Sequence, residues 1–198
     1  MTPDIYLAGV GGQGIITASR IIGDAALIEG LNVLLSETHG MAQRGGSVVC
    51  TARIGDVHSP LIPDGKADAV LSFELLETMR ALCAASKKTV VISSTDKMVP
   101  MSVTTNQLRY PTLEDVTRAA KKVAKAFVSI EATDLAREAG TPLSSNVVMV
   151  GALAGTGITG ITRRAYEKAI EANVPRSIRE NLAAFAKGFA ATAKPARK

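Results

Sequence analysis

Ile5-Tyr6-Leu7-Ala8-Gly9-Val10-Gly11-Gly12-Gln13-Gly14 opens the first β-to-α unit of this 198-residue chain. The apolar run reads as a short buried strand, and the glycines that follow at once read as a tight turn. Helical spacing then takes over from Ile15 to Glu29, with Ile15, Ala18, Ile22, Ala25 and Ala26 on one face and Gly30 as the stop. Gly9, Gly11 and Gly14 satisfy G-x-G-x-x-G between a strand and a helix. In that context the pattern binds a dinucleotide, because the pyrophosphate sits on the helix N-terminus. It equally fits a tight turn whose glycines admit close packing. Gly12 and Gln13 fill the variable positions, and Gln13 puts a bulky amide where a cofactor would approach.

Working outward, Asn32 to Ser36 reads as a second strand, with Glu37 at its end in the place of a ribose-binding acid. Glu37 does not lead into an ordinary strand-to-helix turn. It opens Glu37-Thr38-His39-Gly40-Met41-Ala42-Gln43-Arg44-Gly45-Gly46-Ser47, which packs an acid, an imidazole, a thioether, an amide, a guanidinium and three glycines into one loop. Turning the chain needs no such variety. Arg44 carries a rigid fork of donors suited to a carboxylate or phosphate, or it is a plain solvated arginine. His39 reads as a hydrogen-bonding loop residue more than a proton shuttle. Glu37, His39, Gly40, Met41, Gln43, Arg44, Gly45, Gly46 and Ser47 are the candidate gripping surface, with Gly9, Gly11, Gly12, Gln13 and Gly14 beside it. The two loops are expected together at the carboxyl ends of adjacent strands, where α/β sheets place their sites.

Further strands are expected at Ser47–Ile54, Ala69–Phe73, Thr89–Ser93 and Phe127–Ile130, and helices at Leu75–Ala84 and Asp115–Lys125. The second of these helices has Lys121, Lys122 and Lys125 on its wet side. Ser144-Ser145 can cap a helix from about Asn146 through Ala154 that is apolar all round and therefore central. Ile178, Leu182, Phe185 and Phe189 mark one face of a docked C-terminal helix, with a frayed tail from about residue 190. Residues 94–111 read as irregular or edge structure. Strands alternating with helices predict a single Rossmann-like α/β domain over 1–198, three layers around a mostly parallel sheet.

Composition narrows the function classes. The chain is 46% apolar and 21% charged, enough to bury a core. Aromatics are 4% and Trp is absent, which argues against a stacking platform for single-stranded nucleic acid. No apolar run reaches the roughly 18 residues of a membrane span, and no basic leader precedes the first strand, so the cytoplasm is the expected location. The net charge of +5 is uneven: residues 1–99 hold 8 Lys/Arg against 10 Asp/Glu, and 100–198 hold 15 against 8. The excess is spread along helical patterns and reads as a solvated face. Cys50 and Cys83 lack CxxC spacing and read as reduced, and a cubane iron–sulfur cluster takes about four cysteines. No His, Cys and carboxylate set has metal-ligand spacing, no nucleophile signature is present, and no residue is assigned a catalytic role. Ser59-Pro60-Leu61-Ile62-Pro63 is a stiff apolar segment, either a cover for the core or a patch for another chain.

Gly9–Gly14, Glu37–Ser47, Ser59–Pro63 and Asn146–Ala152 follow in an order that resembles the small subunit of 2-oxoacid:ferredoxin oxidoreductases, nearest to the β subunit of the indolepyruvate enzymes. The Gly-Met-Ala-Gln-Arg-Gly-Gly string carries most of the likeness. The resemblance implies an accessory subunit of an enzyme that oxidatively decarboxylates a 2-oxoacid with coenzyme A, giving an acyl-CoA, carbon dioxide and reduced ferredoxin. It implies that thiamine diphosphate, Mg and 4Fe-4S clusters sit on a large partner subunit in a hetero-oligomer. Gly55-Asp56 continues with Val57, so the Gly-Asp-Gly of a thiamine diphosphate site is absent. Neither nucleic acid nor membrane is an expected partner. The alternative is a freestanding NAD- or FAD-binding oxidoreductase using Gly9, Gly11, Gly14 and Glu37.

Overall fold

A computed structural model describes residues 3–39, 45–99 and 109–193. Gly40, Met41, Gln43 and Arg44 lie outside the described residues. Six strands, β1 (Asp4–Val10), β2 (Val33–His39), β3 (Ser47–Ile54), β4 (Ala69–Ser72), β5 (Val90–Ser94) and β6 (Ala126–Ile130), form one sheet in the order β2-β3-β1-β4-β5-β6. The pairs β1–β4, β4–β5 and β5–β6 are parallel, while β3 is antiparallel to both β1 and β2.

The two-residue period of the strands divides the core. Ile5, Leu7, Ala69, Leu71 and Ile92 face one large cluster, whereas Ala8, Val70 and Val91 face a smaller one. The large cluster is closed by α1 (Ile15–Ile28), α4 (Ala132–Glu138), α5 (Ser145–Gly155), α6 (Arg163–Asn173) and α7 (Ile178–Thr192). On the other face lie α2 (Leu75–Ala81) and α3 (Leu113–Val123). The fold is therefore the three-layer α/β domain with a mostly parallel sheet that the alternating pattern predicts.

Three local details depart from expectation. First, β1 and β2 are not neighbours, because β3 returns antiparallel between them: Val10 is paired with Ser47, and Glu37 with Cys50. Second, α3 starts at Leu113 and ends at Val123, so Lys125 lies beyond it. Thr112 sets the start through a capping box, its hydroxyl accepting from the Asp115 amide at 3.1 Å while the Asp115 carboxylate accepts from the Thr112 amide at 3.1 Å. Those amide and hydroxyl donors of Thr112 also hold the Asp115 carboxyl below its usual range. Third, Ile178 is exposed, so α7 docks through Leu182, Phe185 and Phe189 of the expected face, joined by Ala184 and Gly188.

The α5–α7 contact explains why α5 is apolar all round. Val147, Val148, Met149, Val150 and Leu153 are buried, and α7 crosses α5 where both helices carry glycine. A Cβ on Gly188 would collide with the backbone carbonyl of Val148, and one on Gly151 with the carbonyl of Phe185. Phe185 then stacks obliquely on Tyr166 of α6, ring centroids 5.7 Å apart.

Candidate functional site

The turn after β1 leads to α1 on one face of the sheet, and the turn after β4 leads to α2 on the other. The carboxyl ends of these two strands therefore make the topological switch point where open α/β sheets place their sites. Gln13 fills that crevice. Its side-chain oxygen accepts from the Val10 amide at 2.8 Å, and its side-chain nitrogen donates to the Phe73 carbonyl at 3.0 Å. Gly9 leaves room for this arrangement, since a Cβ would stand 2.9 Å from the Ile15 side chain and 3.0 Å from the Gln13 oxygen and would push both side chains aside.

Gly14 enters α1 in the left-handed conformation at φ 74°, and Asn146 at the start of α5 lies against it. A Cβ on Gly14 would sit 2.6 Å from the Asn146 amide nitrogen, which donates to the Gly14 carbonyl at 3.3 Å. The amino ends of α1 and α5 thus converge. With the segment Asp96–Met98, Thr133 and the strongly exposed Leu143, they border an open groove of about 390 Å³. Thr133 donates its hydroxyl to Asp96 at 2.8 Å on the groove's floor.

The end of the polar loop is fastened to the glycine loop by backbone bonds. The Gly11 amide donates to the Gly46 carbonyl at 2.8 Å, and the Gly45 amide to the Gly11 carbonyl at 3.2 Å. Gly45 takes a positive φ of 78° in this turn. Ser47 is exposed and donates its hydroxyl to Glu77 at 2.6 Å. Glu37 is exposed on β2, and His39 is paired through its backbone with Val48.

Below this edge sit two buried carboxylates that the sequence reading passed over. Glu74 caps α2, accepting from the Glu77 amide at 2.9 Å and from the Met98 amide at 3.3 Å. Burial pushes its carboxyl above the usual range, against the pull of those amides. Glu77 is 2% exposed and also pairs with Arg80 at 2.6 Å. Asn146, Met98 and Leu143 were likewise not singled out as site residues, although Asn146 opens one of the family-like stretches.

The segment Ser59–Pro63 is strapped to the sheet. Arg53 holds Asp4 with two bonds of 2.8 and 3.0 Å and also donates to the carbonyls of Ser59 and Leu61, while Thr51 donates to the Pro60 carbonyl at 2.6 Å. Ile62 packs on the smaller cluster, and Leu61 is left 63% exposed.

The geometry departs from a dinucleotide site in two ways. Glu37 stands one strand farther from β1 than a ribose-binding acid, because β3 intervenes, and the Gln13 side chain is bonded across the switch point to Phe73. The thiols do not make a cluster site either: Cys50 is buried in the core, pushed up to about 11 chiefly by burial, and Cys83 is exposed. Among the described residues, no three His, Cys, Asp or Glu side chains gather to hold a metal, and no helix is long and apolar enough to cross a membrane.

A family profile described as pyruvate ferredoxin/flavodoxin oxidoreductase matches residues 4–191. An indolepyruvate oxidoreductase subunit IorB from Methanothermobacter thermautotrophicus is 44% identical over 195 residues, covering 98% of this chain and all of that protein. The crystal structure of a pyruvate oxidoreductase subunit PORC from Thermotoga maritima superposes with a TM-score of 0.71 at 25% identity, over 96% of each chain. A 2-oxoglutarate:ferredoxin oxidoreductase from Magnetococcus marinus, solved with 2-oxoglutarate, coenzyme A and succinyl-CoA bound, has the same fold at a TM-score of 0.72 and 20% identity; the match covers 96% of this chain but 31% of that one. Joined to the strand–glycine-turn–helix unit and the polar loop clasped to it, these likenesses decide the matter: the chain belongs to the pyruvate ferredoxin/flavodoxin oxidoreductase family, as a small subunit of the 2-oxoacid:ferredoxin oxidoreductases.

Proposed function

We propose that the chain completes a cytoplasmic enzyme that oxidatively decarboxylates indolepyruvate, or a related arylpyruvate, with coenzyme A. The products are the acyl-CoA and carbon dioxide, and the electron pair left on the substrate passes to ferredoxin. Thiamine diphosphate, Mg and the 4Fe-4S clusters, which supply the carbanion and electron-transfer chemistry when bound, belong in this reading to a large partner subunit. The near full-length likeness to an indolepyruvate oxidoreductase subunit supports the substrate.

The role of this chain is positional. The observation that carries it is the clasp between Gly11 and Gly45–Gly46, which makes one edge of the glycine loop and the polar loop. That edge faces the large subunit near its active site. Gln43 and Arg44 then hydrogen-bond partner groups or an anionic part of the substrate or coenzyme A. A docked subunit keeps water from the reacting carbon, which strengthens every electrostatic contact there. The strapped Leu61, held outward by Arg53 and Thr51, supplies apolar contact area.

The test is co-expression of the two subunits with Arg44→Ala in this one. Loss of indolepyruvate oxidation or of assembly supports the reading. A variant complex that assembles and turns over like the wild type would sink the assignment of Arg44.

A further inference from the structure

Two carboxylates at the amino end of α2, the cap Glu74 and Glu77 of the first turn, connect both segments that border the candidate edge, and neither belongs to the machinery described above. Glu77 accepts from the hydroxyl of Ser47, the residue that starts β3 directly after the Gly45–Gly46 clasp. The Glu77 amide donates to Glu74, and Glu74 accepts in turn from the Met98 amide, on the segment that walls the groove. A chain of bonds therefore runs Ser47–Glu77–Glu74–Met98 beneath the glycine loop. Both glutamates are essentially sealed from solvent, and Arg80 is the cation that balances Glu77. A structural cap for a seven-residue helix needs Glu74 alone. It does not need a second buried carboxylate that, besides pairing with Arg80 of the same helix, reaches across to the exposed Ser47.

We infer that Glu77, acting through Ser47, is a positioning residue that holds the end of the polar loop against the glycine loop, and that Glu74 fixes the Met98 wall to the same turn. The inference rests on the small-subunit reading for its consequence in the complex, while the anchoring itself is a property of the free chain. Ser47 is held at three points, through its pairing with Val10 in the β1–β3 ladder, through the neighbouring Gly46–Gly11 backbone bond and through its own hydroxyl. Removing the hydroxyl leaves Gly45–Gly46 held by the two backbone bonds to Gly11 alone, so the clasp opens more readily while β3 remains paired from Ser47 onward.

The experiment uses four variants: Ser47→Ala, Ser47→Thr, Glu77→Met and the double Ser47→Ala/Glu77→Met. Amide exchange at Gly11 is read by NMR in the full chain, and 2-oxoacid oxidation is read per assembled complex. Ser47→Ala is expected to speed Gly11 exchange about tenfold and to lower kcat/KM by a similar factor, the scale of one hydrogen bond to a charged group. Ser47→Thr, which keeps the hydroxyl, restores both. The double variant loses no more than the larger single, because the two changes remove one interaction. Exchange and turnover equal to wild type in Ser47→Ala, or losses that multiply in the double variant, overturn the inference. Ser47→Ala is at an exposed position and keeps the test decisive should Glu77→Met fold poorly. A wild-type chain that captures no large subunit counts against the small-subunit reading alone, and Gly11 exchange still decides the anchoring.

Discussion

The side-chain amide of Gln13 donates to the carbonyl of Phe73 at 3.0 Å, tying the turn after β1 to the turn after β4. The same side chain accepts from the Val10 amide, so one residue bridges the two turns at the switch point of the sheet. Gln13→Ala leaves the Val10 amide and the Phe73 carbonyl without their partner. The expected cost is about 1–3 kcal/mol of unfolding free energy, the penalty for unsatisfied buried polar groups, read from urea denaturation of the purified chain.

Gly188→Ala tests the α5–α7 crossing. The added methyl meets the backbone of Val148, which cannot rotate away as a side chain would. The helices must separate along α5, at an expected cost of about 3 kcal/mol or more and a drop in thermal midpoint of roughly 6–12 °C. Gly157→Ala, where a Cβ meets nothing within 4 Å but φ is +71°, should cost about 1 kcal/mol from backbone strain alone. Equal losses at the two positions, measured by calorimetry, would contradict the packing account.

Glu74 predicts a pH dependence with a definite sign. Its folded pKa lies above the unfolded value of 4.5, so the native chain binds the proton more tightly than the unfolded one. That stabilising contribution is complete below about pH 4.5 and is lost as pH rises through the folded pKa. Asp115 runs the other way, since its pKa is lowered and its contribution is lost as pH falls through the folded value. The difference in unfolding free energy between wild type and Glu74→Gln isolates the first effect. It should change in the wild type's disfavour as pH is raised above 4.5. A pH-independent difference would contradict the burial of an ionisable group there.

Arg53→Lys is not a conservative change. The guanidinium serves Asp4 with two nitrogens and still reaches the carbonyls of Ser59 and Leu61. An ammonium cannot match that planar fork. The expected result is a loss of about 1–2 kcal/mol in stability, together with faster proteolytic cleavage within 59–63. Weaker capture of the large subunit should accompany it if Leu61 contributes contact area.

The architecture was legible where the pattern is local. The apolar runs of Ile5–Ala8 and Ala69–Phe73, the glycine that ends α1 and the all-apolar α5 each carry their own signal within a few residues. The strand order was not legible, because nothing in Ser47–Ile54 says that it pairs between β1 and β2; that choice is made by the burial of Val48, Cys50, Ala52 and Ile54 against α1. Two helices went unread: α4 is short, and α6 buries only Ala165, Tyr166, Ala169 and Ile170 within a strongly polar stretch. At the candidate site, the two glycine-rich segments announced themselves by composition. Glu74 and Glu77 did not, since a buried glutamate looks like a solvated one until remote partners, here Ser47 and Met98, arrive to satisfy it.

The central claim is that this chain works as the small subunit of a 2-oxoacid:ferredoxin oxidoreductase with an arylpyruvate substrate. The most direct measurement is anaerobic purification of the tagged chain from its native host, followed by assay of the eluate for coenzyme A-dependent dye reduction with indolepyruvate, pyruvate and 2-oxoglutarate. The account predicts a co-purifying large subunit carrying thiamine diphosphate and iron, with indolepyruvate the preferred substrate. A large subunit that prefers pyruvate or 2-oxoglutarate would overturn the substrate, and a chain that elutes alone and inactive would contradict the claim itself.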